Sequence, residues 1–338
     1  MPAMPRLTAV MLAWRDEPLL VESVHAVLAS EDVDVDVVLV DNGCTSDALE
    51  RLATIPAVTV VDPGENLGFA GGCNLGARHA TGDFLAFVNG DAVVRPDTLA
   101  HLVSALRDDV GLATASVRLY DEPDVINSAG NPVHFTGLSW AGGLGQQATA
   151  YAVEREVASA SGAAMACRRE RFAALGGFCE PMFAYCEDAE LSLRSWQRGW
   201  KVVYVPAAVA LHRYEFSRNP QKFYLLERNR LFLVLTLFGP GLLVGAALPM
   251  LALELATLGM ALRDGWARQK LAGWWWLLRH AGLVRSRRRQ VRSERVVSDR
   301  ELARVLTGDL DVDVPGLTVP ALARRASRGY WSIARRLA

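Results

Sequence analysis

The chain has 338 residues, enough for about two ordinary domains or one large α/β domain with an appendage. Apolar residues make up 51% of it, so a sizeable core can be buried and global disorder is excluded. Lysine and arginine total 36 against 37 acidic residues, and the net charge of −1 argues against a chain built to coat nucleic acid.

Residues 7–13 are a short apolar run. Residues 17–29 put Leu20, Val24, Val27 and Leu28 on one helical face. Residues 35–41 and 58–62 are apolar, β-branched runs, each ending in a carboxylate. The pattern predicts a helix entered through glycines over 69–80 and a strand over 84–89. A helix over 96–107 follows, with Leu99, Leu102, Val103 and Leu106 on one side, and then a strand over 111–119. Strand–helix–strand alternation of this kind predicts a mostly parallel, doubly wound α/β sheet, with ligands beyond the carboxyl ends of its strands. Residues 120–157 are rich in Gly, Asn, Pro and Gln and read as irregular loops flanking a cleft. Ala189, Leu193, Trp196 and Trp200 predict a helix over 187–200, with short strands over 201–205 and 208–211.

The composition changes near residue 230, which divides the chain into units 1–230 and 231–338. Residues 231–262 carry one charge, Glu254, and are followed by Trp274, Trp275 and Trp276. Between Arg263 and Arg295 there are 10 Lys/Arg and 2 Asp/Glu. The five cysteines (Cys44, Cys73, Cys167, Cys179 and Cys186) have neither CxxC nor metal spacing, which points to a reducing cytosol. Residues 1–8 lack a basic region followed by a long apolar run, so no signal peptide is expected.

Three strand ends carry carboxylates: Asp41, Asp62 and Asp91. Such a group can accept hydrogen bonds from a base or ribose, or it can close an Asx turn. Asn89-Gly90-Asp91 can hold a divalent metal that bridges phosphates, or be an ordinary turn. The glycine-rich segment 66–76, with Asn66, Gly68 and Asn74, lacks the Lys-Ser/Thr of a P-loop. It fits a helix start beside a ligand or tight helix–sheet packing. Glu187 and Asp188 open a helix, either capping it or serving as a general base. His212 closes a strand, as a metal ligand or a structural histidine.

Together these segments resemble family 2 inverting glycosyltransferases of the GT-A fold, near the rhamnosyltransferase-like members. Carrying the resemblance are residues 40–47, 66–76, 89–91, 161–170 and 175–194, then His212 and Arg228-Asn229-Arg230, in the family's order over about residues 6–230. The resemblance implies that Asp41 contacts the base of a nucleotide sugar. It places Ala13, Trp14, Asn66, Gly68, Asn74 and Asn89 around that donor. It makes Asp91 and His212 ligands of a divalent metal (Mg2+ or Mn2+), and Asp188 the base, supported by Glu187. It further implies a nucleoside diphosphate sugar donor, a polyprenyl-linked glycan acceptor and work at the cytoplasmic face of the cell membrane. The first strand ends in Ala13-Trp14-Arg15 where Thr-Tyr-Asn is common, and Asn-Gly-Asp replaces the more usual Asn-Pro-Asp.

Two other classes compete. A sugar nucleotidyltransferase expects an N-terminal glycine-rich loop with basic residues, and here Arg15 stands alone. A non-catalytic membrane scaffold has no need of the carboxylates at 91, 187 and 188. For residues 231–284, one arrangement is a buried helical hairpin broken at Gly239-Pro240-Gly241. The preferred expectation is monotopic attachment, with Trp274–Trp276 at headgroup level and the arginines on anionic lipid.

Overall fold

The computed structural model describes residues 4–213, 221–311 and 319–338. The chain begins with β1 (Arg6–Arg15), α1 (Leu20–Leu28), β2 (Asp34–Cys44), α2 (Ala48–Leu52), β3 (Val58–Val61), α3 (Gly68–His79), β4 (Phe84–Val88), β5 (Ala92–Val94), α4 (Thr98–Ala105) and β6 (Val110–Leu119). It continues through β7 (Ile126–Ser128), β8 (Arg155–Glu156), β9 (Ala164–Arg168), α5 (Arg169–Ala174), α6 (Glu187–Gln197) and β10 (Lys201–His212). Six helices close it: α7 (Lys222–Leu237), α8 (Pro240–Asp264), α9 (Ala267–Arg279), α10 (Ala281–Glu294), α11 (Asp299–Val305) and α12 (Ala321–Ala334).

One sheet runs in the order β3-β2-β1-β4-β9-β6-β10-β5, with β7 beside β6 and β8 beside β10. The β3-β2-β1-β4 half and the β6–β10 pair are parallel. β9 is antiparallel to both β4 and β6, and β5 is antiparallel to β10. The expected mostly parallel sheet is thus a mixed one, in which β9 comes between two parallel groups. Residues 201–205 and 208–211, read as two strands, are one strand whose register shifts between Val205 and Val209.

The strands read as near-continuous apolar runs because both sheet faces are covered. Alternate residues of β1 serve opposite layers. Leu7, Ala9 and Met11 pack with Leu20 and Val24 of α1 and Leu99 of α4. Val10 packs with Ala70 and Cys73 of α3 and Leu191 of α6. A Cβ on Gly76 would lie 2.4 Å from Val10 Cγ1, so this glycine lets α3 sit against the sheet.

The C-terminal helices share a second core with the body. Phe232, Val234, Leu237, Leu302 and Trp331 pack with Ala189 and Leu193 of α6 and with Phe135. The compositional boundary at residue 230 falls inside α7. The break expected at Gly239-Pro240-Gly241 is real, since α7 ends at Leu237 and α8 starts at Pro240. α7 is mostly buried, but α8 is not. Val244, Leu248, Leu251, Leu255 and Leu262 are each more than half exposed.

Candidate active site

The parallel strands deliver their carboxyl ends to one edge of the sheet, and the loops there are stitched to one another. Ala13, expected beside the donor, is fully buried within the core, backbone included, and presents no surface to a ligand. Trp14 follows, with the Arg15 guanidinium 4.4 Å from its ring centroid. At the end of β2, Asp41 Oδ1 accepts from the amides of Gly43 and Cys44 at 3.0 and 2.8 Å. This is an Asx-type turn, and it leaves Oδ2 without a bond among the described residues. Sequence reasoning passed over Asn42. Its side chain is buried, donates to Gly68 O and accepts from Leu67 N, tying β2 to the entry of α3.

Asn66 Oδ1 accepts from Gly68 N at 2.8 Å, and Gly68 has φ +70°, so the helix starts on a left-handed turn that favours glycine. Asn74 has a different place from the one expected. Its amide is buried and bonded to Phe178 N, Phe178 O and Glu180 Oε1. The side chain is spent on pinning α3 to the loop before α6. That geometry makes it a structural latch in place of a donor contact.

Asn89, Gly90 and Asp91 form the turn between β4 and β5. The antiparallel pairing of His212 with Ala92 carries the histidine to this turn. His212 Nε2 lies 3.1 Å from Asp91 Oδ1, and its Nδ1 lies 3.0 Å from Asn127 Oδ1. Both ring nitrogens of His212 thus face a side-chain oxygen. Among the described residues no group of three His, Cys, Asp or Glu side chains gathers into a metal cluster. Among the described residues, Asp91 and His212 bring one carboxylate and one imidazole together. This is a donor set that suits a hard or borderline cation whose remaining ligands are phosphate and water. Asn127 lay in a segment with no readable pattern, and nothing local marks it.

The second carboxylate centre lies across this edge. Asp188 Oδ2 accepts from Gly162 N at 3.2 Å and Oδ1 from Ala189 N at 2.7 Å. The same short loop joins the two centres, because Asn89 N donates to Ala163 O at 3.0 Å. Burial pushes the Asp188 carboxyl above the usual carboxylate range, opposed by the amides of Gly162 and Ala189. Glu187 is pushed well up by burial and by the Asp188 charge, and its Oε2 is a buried atom with no partner among the described residues. Both carboxyls are shifted upward by burial; Asp188 differs in accepting two backbone amides, while Glu187 keeps an unpartnered oxygen.

Further along α6, Glu190 is fully buried. Burial alone would raise its carboxyl, but Arg194 and Arg287 outweigh it and the net shift is downward. Arg287 comes from α10, at 2.7 Å.

The turns and paired carboxylates thus gather at one edge of a mixed α/β sheet. Residues 5–231 match the family model described as "Glycosyltransferase like family 2", about two thirds of the sequence, and the chain belongs to that family. Among curated relatives, the N-acetylglucosaminyl-diphospho-decaprenol L-rhamnosyltransferase of Mycobacterium tuberculosis (strain H37Rv) is 28% identical over 247 residues. That match covers 63% of this chain and 78% of the relative. The succinoglycan biosynthesis protein ExoO of Rhizobium meliloti is 33% identical over 129 residues, covering 37% of this chain and 35% of ExoO. Among solved structures, GalNAc-T7 with UDP, GalNAc and Mn2+ superposes with a TM-score of 0.61 at 17% identity. It covers 73% of this chain and 51% of its own, so the chain spans about half of that protein. The mannosyltransferase PcManGT of Pyrobaculum calidifontis, in complex with GDP-Man and Mn2+, gives a TM-score of 0.52 at 21% identity. Here the coverage is 99% and 87%. The fold is GT-A, with a helical region at its C-terminus.

Proposed function

We propose that the chain is a metal-dependent, inverting glycosyltransferase. It moves a sugar, L-rhamnose first among candidates, from a nucleoside diphosphate donor to a hydroxyl of a polyprenyl-diphosphate-linked glycan in cell-envelope polysaccharide synthesis. The observation that carries this reading is that the Asp91–His212 pair and Asp188 meet one short loop, Gly162 and Ala163, which bonds to Asp188 on one side and to Asn89 on the other. The rhamnosyltransferase relative supports the choice of sugar and acceptor. The two Mn2+-containing neighbours support the metal.

In this reading Asp91 and His212 hold the divalent cation, which when bound neutralises charge on the diphosphate leaving group. Asp41 Oδ2 faces the base, while Trp14, Asn66, Gly68 and Asn89 line the donor. Asp188 takes the proton from the acceptor hydroxyl. The acceptor oxygen forms its bond to the anomeric carbon as the bond to the diphosphate oxygen breaks, and the nucleoside diphosphate leaves with the electron pair. A single displacement inverts the anomeric centre and needs no second nucleophilic carboxylate. Glu187 lies beside Asp188, and its carboxyl is held well above the usual range by burial and by the Asp188 charge.

The membrane part of the proposal rests on α8. It is the one helix among the described residues that is long and apolar enough to cross a bilayer. Its charge faces inward. Glu254 bonds to the Arg230 guanidinium, to Lys270 Nζ at 3.0 Å and to Trp274 Nε1 at 2.7 Å. Those bonds fix one face of α8 to α7 and α9, while Leu248, Leu251, Leu255 and Leu262 face outward. We therefore retain attachment in the plane of the cytoplasmic leaflet, with the exposed leucines in the apolar phase.

Two expectations about this surface are corrected. Of the three tryptophans only Trp275 is largely exposed; Trp274 is bonded to Glu254, and Trp276 stacks on His280 and the Arg228 guanidinium. Nor do all the clustered arginines serve anionic lipid. Arg287 bonds to Glu190, and Arg288 to the carbonyls of Leu235 and Phe238.

A thermal-shift screen of UDP-, GDP- and dTDP-sugars with and without Mn2+ tests the donor. Stabilisation that appears only when sugar nucleotide and metal are present together is expected. Full transfer activity in EDTA would overturn the metal assignment. Labelling of a Tyr330→Cys variant in sealed vesicles tests sidedness, and modification from outside the cytoplasm would overturn the attachment.

A further inference from the structure

The loop before α6 has an unusual backbone. Phe183, Tyr185 and Cys186 all have positive φ, at 65°, 69° and 66°, although none is glycine. Side chains with a Cβ populate this region sparsely, and such conformations persist only where the surroundings hold them. These residues lead directly into Glu187 and Asp188, so the turn sets where α6 starts and where the carboxylates point.

What holds the turn is a pair of side chains on α7. Asn229 is fully buried, and its Nδ2 lies 2.8, 2.9 and 2.7 Å from the carbonyl oxygens of Met182, Ala184 and Tyr185. Its Oδ1 accepts from Arg228 Nε at 2.9 Å. The amide can face only one way, since its oxygen would be repelled by three carbonyls. The Arg228 guanidinium donates to Pro181 O at 2.9 Å and to Met182 O at 2.7 Å. On the far side the same turn is caught by α3, where Ala70 N donates to Phe183 O at 3.0 Å.

We propose that Arg228 and Asn229 are positioning residues for the catalytic base, holding residues 181–186 in the conformation that aims Asp188 at the acceptor hydroxyl. Arg228 is itself backed by α9. Its backbone lies against Gly273, where an added Cβ would meet it at 3.4 Å, and its guanidinium sits 4.6 Å from the Trp276 ring centroid. Helix α9 carries the exposed Trp275 and Leu278 on its other side. The segment read as an appendage is therefore one residue layer away from the base loop. Among the described residues no hydrogen bond joins Asp41 or Asn66 to Arg228 or Asn229, so donor binding can be read apart from base positioning.

The inference rests on Asp188 as the base, so the test runs Asn229→Asp, Arg228→Lys and Asp188→Asn beside the full-length wild type. A nucleoside diphospho-L-rhamnose and N-acetylglucosaminyl-diphospho-polyprenol serve as probes. Asn229→Asp keeps the size of the side chain and replaces the donor with a carboxylate facing three carbonyls. A fall in kcat of about 10²-fold is expected, the scale of a small misplacement of a catalytic group, with KM for the donor unchanged. The acid limb of the kcat–pH profile should move to higher pH as Asp188 loses the Gly162 and Ala189 amides. Cys186, in a Cys44→Ser background, should react faster with a thiol reagent. Wild-type kcat and pH profile in a folded Asn229→Asp protein would overturn the clasp. So would a loss of kcat matched by equal loss of donor affinity. If Asn229→Asp fails to fold, Arg228→Lys is read by the same criteria. Full activity of Asp188→Asn would instead remove the base assignment on which the clasp rests.

Discussion

Strand β2 and helix α8 are both apolar segments, and they are built in opposite senses. In β2, Val37, Val38, Leu39 and Val40 are all buried, because helices cover both faces of the sheet. In α8 the only carboxylate in the apolar stretch, Glu254, is turned inward to an arginine, a lysine and an indole, while five aliphatic side chains face out. The difference is what each face meets: protein on both sides of β2, and protein on only one side of α8. A helix with its charge inside and its leucines outside is matched to a surrounding phase that is not water. The paired carboxylates sit at the edge of the first kind of segment, and the membrane proposal belongs to the second.

The comparison breaks first at the sheet edge. Asp91→Asn is expected to abolish transfer and to remove the Mn2+ dependence of nucleotide-sugar stabilisation in a thermal-shift assay. Retained activity with retained metal dependence would move the cation away from β4. Asp188→Asn should lower kcat by about 10²–10⁴-fold with donor affinity nearly unchanged. Equal losses in both would mean that the residue supports the fold of the edge and not the proton transfer.

The buried acid pair also has a signature in stability. The Glu187 carboxyl is raised in the folded protein, so between the unfolded and folded values the native state binds more protons. Its contribution is fully present below the unfolded value and is lost as pH rises through the folded one. Glu187→Gln, which cannot ionise, should therefore gain in Tm relative to wild type as pH increases, measured by calorimetry from pH 5 to 9. A constant difference across that range would show that Glu187 is not the titrating group.

On α8 the inner and outer faces should respond in opposite ways. Glu254→Leu adds apolar surface yet leaves Lys270, which is fully buried, with only Glu227 as its carboxylate partner. Breaking a buried pair by removing one partner costs about 3–5 kcal/mol, so a clear loss of denaturant stability is expected. Leu251→Glu with Leu255→Glu on the outer face should change stability in solution by less than about 0.5 kcal/mol. The same pair should release the protein from anionic vesicles, because burying each leucine is worth about 1.5–3 kcal/mol. Unchanged vesicle binding together with loss of fold would show that this face is packed against protein.

Much of the sheet was legible because its signals are local. β-Branched runs ending in Asp41 and Asp62, and glycines at the entry to α3, follow from chain geometry over a few residues. Strand β9 carried no such signal. The run Ala-Met-Ala-Cys-Arg has low β propensity and becomes a strand only because β4 and β6 leave a slot between them. Asn74 misled for a related reason. An asparagine beside glycines reads as a ligand contact, while its true partner, Phe178, lies 104 residues away.

By itself the sequence determined the alternation of elements, the order of the carboxylate motifs and the break between α7 and α8. These depend on periodicity and on backbone preferences that act within a turn or a strand. Tertiary structure alone decided that His212 meets Asp91 across 121 residues, that Arg287 belongs to Glu190 and not to lipid, and that Asn229 holds the turn before Asp188. Each of these is a polar contact between distant segments. Hydrogen bonds and ion pairs are short-ranged, and the hydrophobic burial that brings such segments together does not record which polar groups will meet.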